Sequence, residues 1–292
     1  MRFAVIDIGS NTAKAEIYKY KDGKLELKEK FIERDMTADH KDGGILDRQG
    51  TEILINIMNK FKLVCKENGA KSIFPYATQS LRGIDNADEV LADIKKHTGL
   101  DVKIISGKEE ARLCFESFVS EGGAENGVLS DLGGGSTELC FIKNGELIKS
   151  VSLPFGARSL THGFKINIMP TDLQEAEIAA LIEGYKKESD LPDSKTELFA
   201  CGGSSSGLFR IYGGSSADLQ DLAAFYAGCK SDMNKAEKTA RELAPERYDT
   251  VFTGIYAHIC LCRALNCYKI NRCKSTCRKG YAAMLVRDGY VK

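Results

Sequence analysis

A chain of 292 residues is long for one hydrophobic core, so two domains are the starting expectation. With 43% apolar and 28% charged residues it reads as an ordinary folded globular protein, which excludes a disordered chain. Basic and acidic side chains balance at 41 each, which excludes the broad positive field of a non-specific nucleic-acid binder but allows a locally positive site for a small polyanion.

In chain order, the first residues run straight into a strand pattern, with no charged leader followed by a long apolar run. No stretch of about 18 apolar residues follows anywhere, so a cytoplasmic protein with no membrane partner is expected. Phe3-Ala-Val-Ile-Asp7 reads as a strand, Gly9-Ser-Asn-Thr12 as a turn, and Lys14-Ala-Glu-Ile-Tyr18 as a second strand. Lys24 to Arg34 alternates as a third strand. Thr51 to Cys65 has helical spacing, with Ile53, Leu54, Ile57, Met58 and Phe61 on one side. A strand over 72–77, a helix over 87–96 and a strand from Val102 complete the first half. The second half repeats the opening: Gly127-Val-Leu-Ser-Asp131, a turn Gly133-Gly-Gly-Ser-Thr137, then a strand from Glu138. A further strand over 147–153 leads to a helix whose start is marked by Thr171 and Gln174 at capping-box spacing. The separation of Asp7 from Asp131 is domain-sized, which points to internal duplication. The expected architecture is therefore α/β, with domains over 1–125 and 126–292 and the last helix packing back on the first domain.

Both turns join an aspartate to glycines and hydroxyls. Glycine permits a close backbone approach, and successive N–H groups make a nest for an anion, while each aspartate suits a divalent cation. A plain hairpin turn explains either one alone; two related copies favour paired phosphate loops. In Ile104-Ile-Ser-Gly-Lys-Glu-Glu-Ala-Arg, Ser106 and Glu109 have capping-box spacing, which leaves Glu110 as a carboxylate that is salt-bridged or catalytic. Arg82, after a strand and a Thr/Ser turn, suits a bidentate phosphate contact or an exposed surface. Gly202-Gly-Ser204 either grips a phosphate chain or nucleoside or simply joins a strand to a helix. Five cysteines (Cys260, Cys262, Cys267, Cys273 and Cys277) lack zinc-ribbon spacing, and buried reduced thiols are favoured over a metal or iron–sulfur site.

With VIDIGSNT, YATQSLRGIDN, IISGKEEARL, LSDLGGGSTEL, SLPFGARSLT and ACGGSS in this order, the chain resembles the exopolyphosphatase and guanosine pentaphosphate phosphatase family, a branch of the actin, Hsp70 and sugar-kinase superfamily. The resemblance implies two actin-like (RNase H-like) domains with a cleft between them. It also implies hydrolysis of the terminal phosphoanhydride of inorganic polyphosphate or guanosine pentaphosphate, Mg²⁺ as cofactor, and a homodimer. By the same resemblance Glu110 matches the general base, and Asp131, Glu138 and Asp7 match carboxylates around Mg²⁺. Gly9, Ser10, Asn11, Thr12, Arg82, Gly133, Gly134, Gly135, Ser136, Thr137, Gly202, Gly203 and Ser204 match phosphate-binding positions.

Some positions depart from the family pattern. Thr12-Ala-Lys-Ala stands where the family more often has Arg or His and then Leu, and Arg278-Lys279-Gly280 replaces Arg-Glu-Gly. With no His-Asp pair and an end at Lys292, a short form without the helical C-terminal domains is expected. Rival readings are an ATP-dependent kinase or ATPase, an iron–sulfur activator using the clustered cysteines, and a non-catalytic nucleotide or polyphosphate sensor.

Overall fold

The computed structural model describes residues 1–10, 12–34 and 37–291. The chain divides into two compact units, Met1–Ser117 with Cys277–Lys292, and Phe118–Thr276. Unit 1 opens with β1 (Arg2–Ile8), β2 (Thr12–Lys21) and β3 (Lys24–Arg34), an antiparallel meander. A short hairpin, β4 (Lys41–Asp42) and β5 (Ile45–Leu46), precedes the long helix α1 (Arg48–Glu67). Asp47 caps α1 by accepting the Gly50 N–H at 2.6 Å, while Leu54, Ile57, Met58, Phe61 and Cys65 recur at helical spacing and are buried. Next come β6 (Ile73–Ala77), α2 (Gln79–Arg82), α3 (Ala87–Thr98), β7 (Lys103–Ile104) and α4 (Gly107–Ser120).

In unit 2, β8 (Gly127–Leu132), β9 (Thr137–Lys143) and β10 (Glu146–Leu153) repeat the meander, followed by α5 (Ala157–Gly163) and α6 (Asp172–Glu188). The expected capping box forms at the start of α6 between Thr171 and Gln174. Then follow β11 (Glu197–Cys201), α7 (Gly202–Tyr212), β12 (Ser216–Asp218), α8 (Leu219–Ser231), α9 (Met233–Leu243), α10 (Val251–Ala264) and β13 (Lys269–Arg272). The last helix, α11 (Cys277–Arg287), groups with unit 1 and packs on β1 and β2.

The sheets are built alike. In unit 1 the order is β3-β2-β1-β6-β7, with β6 and β7 parallel to β1; in unit 2 it is β10-β9-β8-β11-β13, with β11 and β13 parallel to β8 and β12 antiparallel at the edge. Strand alternation assigns the faces. Ala4, Ile6 and Ile8 with Ala13, Ala15 and Ile17 join Leu54, Met58 and Phe61 of α1 in one core. Phe3, Val5 and Asp7 lie on the opposite face, where Tyr281 of α11 packs at a tilt against Tyr76 of β6, 4.7 Å between ring centres. Gly280 allows this seating, because a Cβ there would lie 2.0 Å from the Leu113 carbonyl oxygen.

In unit 2 the apolar helix α10 is buried almost all round. Cys260, Cys262 and Cys267 lie in this core as free thiols, and burial pushes Cys260 up to about 11 and Cys267 up to about 12. No helix among the described residues is long and apolar enough to cross a membrane.

His258, fully buried on α10, donates from Nδ1 to Gly254 O at 2.7 Å, and burial lowers its pKa to about 4 against that hydrogen bond. The unfolded chain protonates this histidine below about 6.5 and the folded chain only near 4. Between those values the unfolded state holds the extra proton, so stability is lost as pH falls through the window. The histidine accounts for a loss of about 3 kcal/mol. Urea denaturation at pH 7 and pH 4 should show this slope in the wild type and not in His258→Gln.

Candidate active site

The two glycine turns are built on one plan. Gly9 N donates to Thr12 O at 3.3 Å and Gly133 N to Ser136 O at 2.9 Å, and a Cβ on either glycine would stand 3.1 Å from that same carbonyl. Asp7 and Asp131 sit two residues before these glycines, each on the central strand of its sheet. Ser10 is half-buried and Thr12 buried; Asn11 lies outside the described residues.

In unit 1, Arg82 and Glu110 come together. Arg82 ends α2 and donates from Nη1 to Glu110 Oε2 at 3.2 Å and to Ile105 O at 2.9 Å, while its Nε reaches Gln79 Oε1 at 3.2 Å. The short helix is anchored to β1, since Ser80 Oγ and Thr78 N both donate to Ile8 O, at 2.6 and 3.2 Å. Glu110 is 8% exposed in the first turn of α4, where the N-terminal end of the helix dipole favours a carboxylate. Glu109 N bonds Ser106 Oγ at 3.1 Å as the capping box requires, but its carboxylate pairs with Lys103 at 2.8 Å instead of folding back on the cap. The sequence reading left Glu110 as salt-bridged or catalytic; its ion pair with Arg82 is compatible with both, because an ion pair also orients a base.

Asp7, expected near a cation, faces one already present in the chain. Its Oδ2 accepts from Arg278 Nη1 at 2.7 Å. Arg278 Nε lies 2.9 Å from Glu16 Oε1, off the hydrogen-bond axis, and Tyr18 donates to Glu16 Oε2 at 2.5 Å. Burial raises the Glu16 pKa, but Arg278, Tyr18 and Lys30 outweigh it and hold the carboxyl below the ordinary range.

In unit 2 the Gly133–Ser136 turn is held from outside. The first N–H groups of α5 donate to its carbonyls: Ala157 N to Gly133 O at 2.9 Å, Arg158 N and Ser159 N to Gly134 O at 3.0 and 2.9 Å. With these carbonyls tied down, the N–H groups of Gly134, Gly135 and Ser136 meet no acceptor among the described residues, which is the arrangement of an anion nest. Gly156 permits the contact, because a Cβ there would lie 2.5 Å from Gly134 C and 2.6 Å from Gly133 O. Gly156→Ala should therefore displace the turn, lowering kcat/KM by roughly 10²-fold. The stability cost should stay near 1–3 kcal/mol, and steady-state kinetics beside a urea titration separates the two effects.

Asp131 and Glu138 are register partners on β8 and β9, so both carboxylates lie on one face of the sheet, and Ser152 Oγ donates to Glu138 Oε1 at 2.7 Å. Two hard oxygen donors side by side fit Mg²⁺. Gly202, at φ +78°, is required beside them: a Cβ would lie 2.1 Å from Asp131 Oδ1.

Two of the expected phosphate positions are buried hydroxyls. Thr137 is fully buried and gives its hydroxyl to Phe155 O at 2.7 Å, so it holds the hairpin end. Ser204 is 5% exposed and packs toward Gly254 of α10.

The sequence reading missed Arg247. This guanidinium is 8% exposed and lies over the start of α7, where a Cβ on Gly203 would be 1.9 Å from Nη2. Burial lowers its pKa and Arg210 adds to that, with Glu246, Asp131 and Asp249 opposing. Around it, Glu246 pairs with Arg210, Tyr248 stacks on Arg241 at 4.1 Å, and Asp249 lies 4.0 Å from the buried Arg158. Pro245-Glu-Arg-Tyr-Asp249 carries no motif, so only the fold exposes its role as a brace linking α7, α9 and α5.

The Ppx/GppA phosphatase family model matches residues 17–287. Exopolyphosphatase 1 of Mycobacterium leprae is 26% identical over 206 residues, which is 69% of this chain and 59% of that protein. The chain thus spans about three fifths of that relative, and about half of exopolyphosphatase 1 of Mycobacterium tuberculosis. Among solved structures, the Ppx/GppA family member of Aquifex aeolicus aligns with a TM-score of 0.80 at 23% identity, covering 100% of this chain and 99% of that one. An exopolyphosphatase from Cytophaga hutchinsonii aligns at 0.83 with 18% identity, over 100% and 99%. These likenesses show the fold, α/β with two actin-like units. With the family model matched over nearly all of its length, the chain belongs to the Ppx/GppA phosphatase family.

Proposed function

We propose that the protein is a phosphohydrolase that removes the terminal phosphoryl group of inorganic polyphosphate or guanosine pentaphosphate. The observation that carries this reading is the Gly133–Ser136 turn, whose carbonyls are tied to α5 while three successive N–H groups are left for an anion. The family membership and the relatives named exopolyphosphatase support the same substrate class.

Roles follow unit by unit. Glu110 takes the proton of the attacking water, and Arg82 fixes the orientation of that carboxylate. The N–H groups of Gly134, Gly135 and Ser136, with Arg247 at the start of α7, bind non-bridging phosphoryl oxygens, whose charge spreads in the transition state. Asp131 and Glu138 would hold Mg²⁺. When bound, the ion neutralises charge on the phosphate chain. Ser152 keeps the Glu138 carboxylate aimed.

Phosphate release from each of the two substrates, with and without Mg²⁺, tests the proposal. Metal-dependent release from at least one is expected; tight binding of both with no phosphate released rejects hydrolysis in favour of a sensor.

A further inference from the structure

Beneath α11 a run of polar side chains leads to Asp7. Tyr18 donates to Glu16 Oε2 at 2.5 Å, Glu16 Oε1 lies 2.9 Å from Arg278 Nε, and Arg278 Nη1 donates to Asp7 Oδ2 at 2.7 Å. Burial, with Glu16 beside it, raises the Tyr18 pKa, so its hydroxyl stays a donor at neutral pH. The two carboxylates flank the Gly9–Thr12 turn: Asp7 precedes it on β1, and Glu16 follows it on β2. One guanidinium therefore ties both strands that carry the turn. The hairpin itself does not demand a charge at Glu16, which is 3% exposed. The second copy builds the same strand pair with Cys140 there, since Val5 lies opposite Glu16 and Leu129 opposite Cys140. A buried carboxylate costs desolvation, and a buried ion pair is often worth no more to stability than apolar residues of similar volume. The charge of Glu16 calls for a purpose beyond holding the fold.

We propose that Glu16 is a positioning residue for the reaction: acting through Arg278, it sets the place of Asp7 and of the Gly9–Thr12 turn, whose backbone meets phosphoryl oxygens of the substrate. An arginine stem is long, and a guanidinium paired with Asp7 alone could swing about that one contact. With its Nε edge drawn to Glu16, the planar group has a single orientation and presents Nη1 to Asp7. Tyr18 holds the Glu16 carboxylate in turn. A reacting group displaced by about 1 Å can lose about 10²-fold in rate. Backbone donors aimed at phosphoryl oxygens act on charge that grows in the transition state, so the loss falls on kcat more than on KM.

The inference rests on the proposed phosphohydrolase reading, and steady-state phosphate release beside urea denaturation of each variant tests it. Glu16→Gln keeps the size of the side chain and removes its charge; kcat should fall about 10- to 10²-fold with KM within about threefold. Tyr18→Phe keeps every charge and removes one hydroxyl, and should lower the same parameter by about 3- to 10-fold. Phe61→Leu, in the core on the other face of the sheet, controls for lost stability and should turn over as the wild type does. A Glu16→Gln enzyme with wild-type kcat, or with a loss no larger than that of Phe61→Leu, overturns the inference and leaves the phosphohydrolase reading standing. Where Glu16→Gln fails to fold, wild-type kcat in Tyr18→Phe overturns it. A wild type that releases no phosphate from either substrate overturns it together with the proposed function.

Discussion

Glu110→Gln is expected to fold as the wild type does and to lose about 10²–10⁴-fold in kcat. Glutamine keeps the shape of the side chain and an oxygen for Arg82 Nη1, which now lies 3.2 Å from Glu110 Oε2. What it loses is the basic carboxylate. If Glu110 serves as the base, substrate affinity changes little and the defect falls on kcat. If Glu110 only holds Arg82, the loss appears mainly in stability and KM, and turnover stays within a few fold. Arg82→Gln discriminates further: an orienting residue lowers kcat with KM little changed, while a phosphate contact raises KM. A Glu110→Gln enzyme that releases phosphate at the wild-type rate removes Glu110 from the chemistry.

Arg278→Gln should cost about 3–5 kcal/mol of stability, because it takes the nearest cation from the buried Glu16 and the part-buried Asp7. That is a large share of the roughly 5–15 kcal/mol that holds a typical protein folded. The urea midpoint should fall accordingly. The physical cause is checked by removing the stranded charges as well. A triple variant, Arg278→Met with Asp7→Asn and Glu16→Gln, should recover most of the loss, since no buried charge is left unpaired. If the triple variant is no more stable than Arg278→Gln, packing of the α11 stem outweighs the ion pairs. The acid side carries the same sign: the Glu16 carboxyl is held below its ordinary range, so its contribution is present at neutral pH and lost as pH falls through the lowered value.

Much of the fold could be read from local pattern. The strand periodicity, the α1 stripe from Leu54 to Cys65 and the Thr171–Gln174 capping box are consequences of neighbours in sequence, and they form where expected. The duplicated Asp-x-Gly turns were likewise visible, because glycine is demanded by backbone approach whatever the surroundings. The direction in which a hydroxyl points is less legible. Thr137 and Ser204 look like phosphate donors in a string of Gly, Ser and Thr, yet strand alternation and helix phase turn them inward.

The sequence by itself determined the repeat and the glycine turns, which need only a period of two and a tight turn, while the strand register shows Asp131 opposite Glu138. The tertiary structure decided which charges meet. Arg278 arrives at Asp7, and Arg247 at Gly203, from segments with no periodic signal, because long-range contacts are chosen by how whole elements pack. A buried carboxylate takes its character from whichever cation the fold brings to it, and chain order does not record that cation.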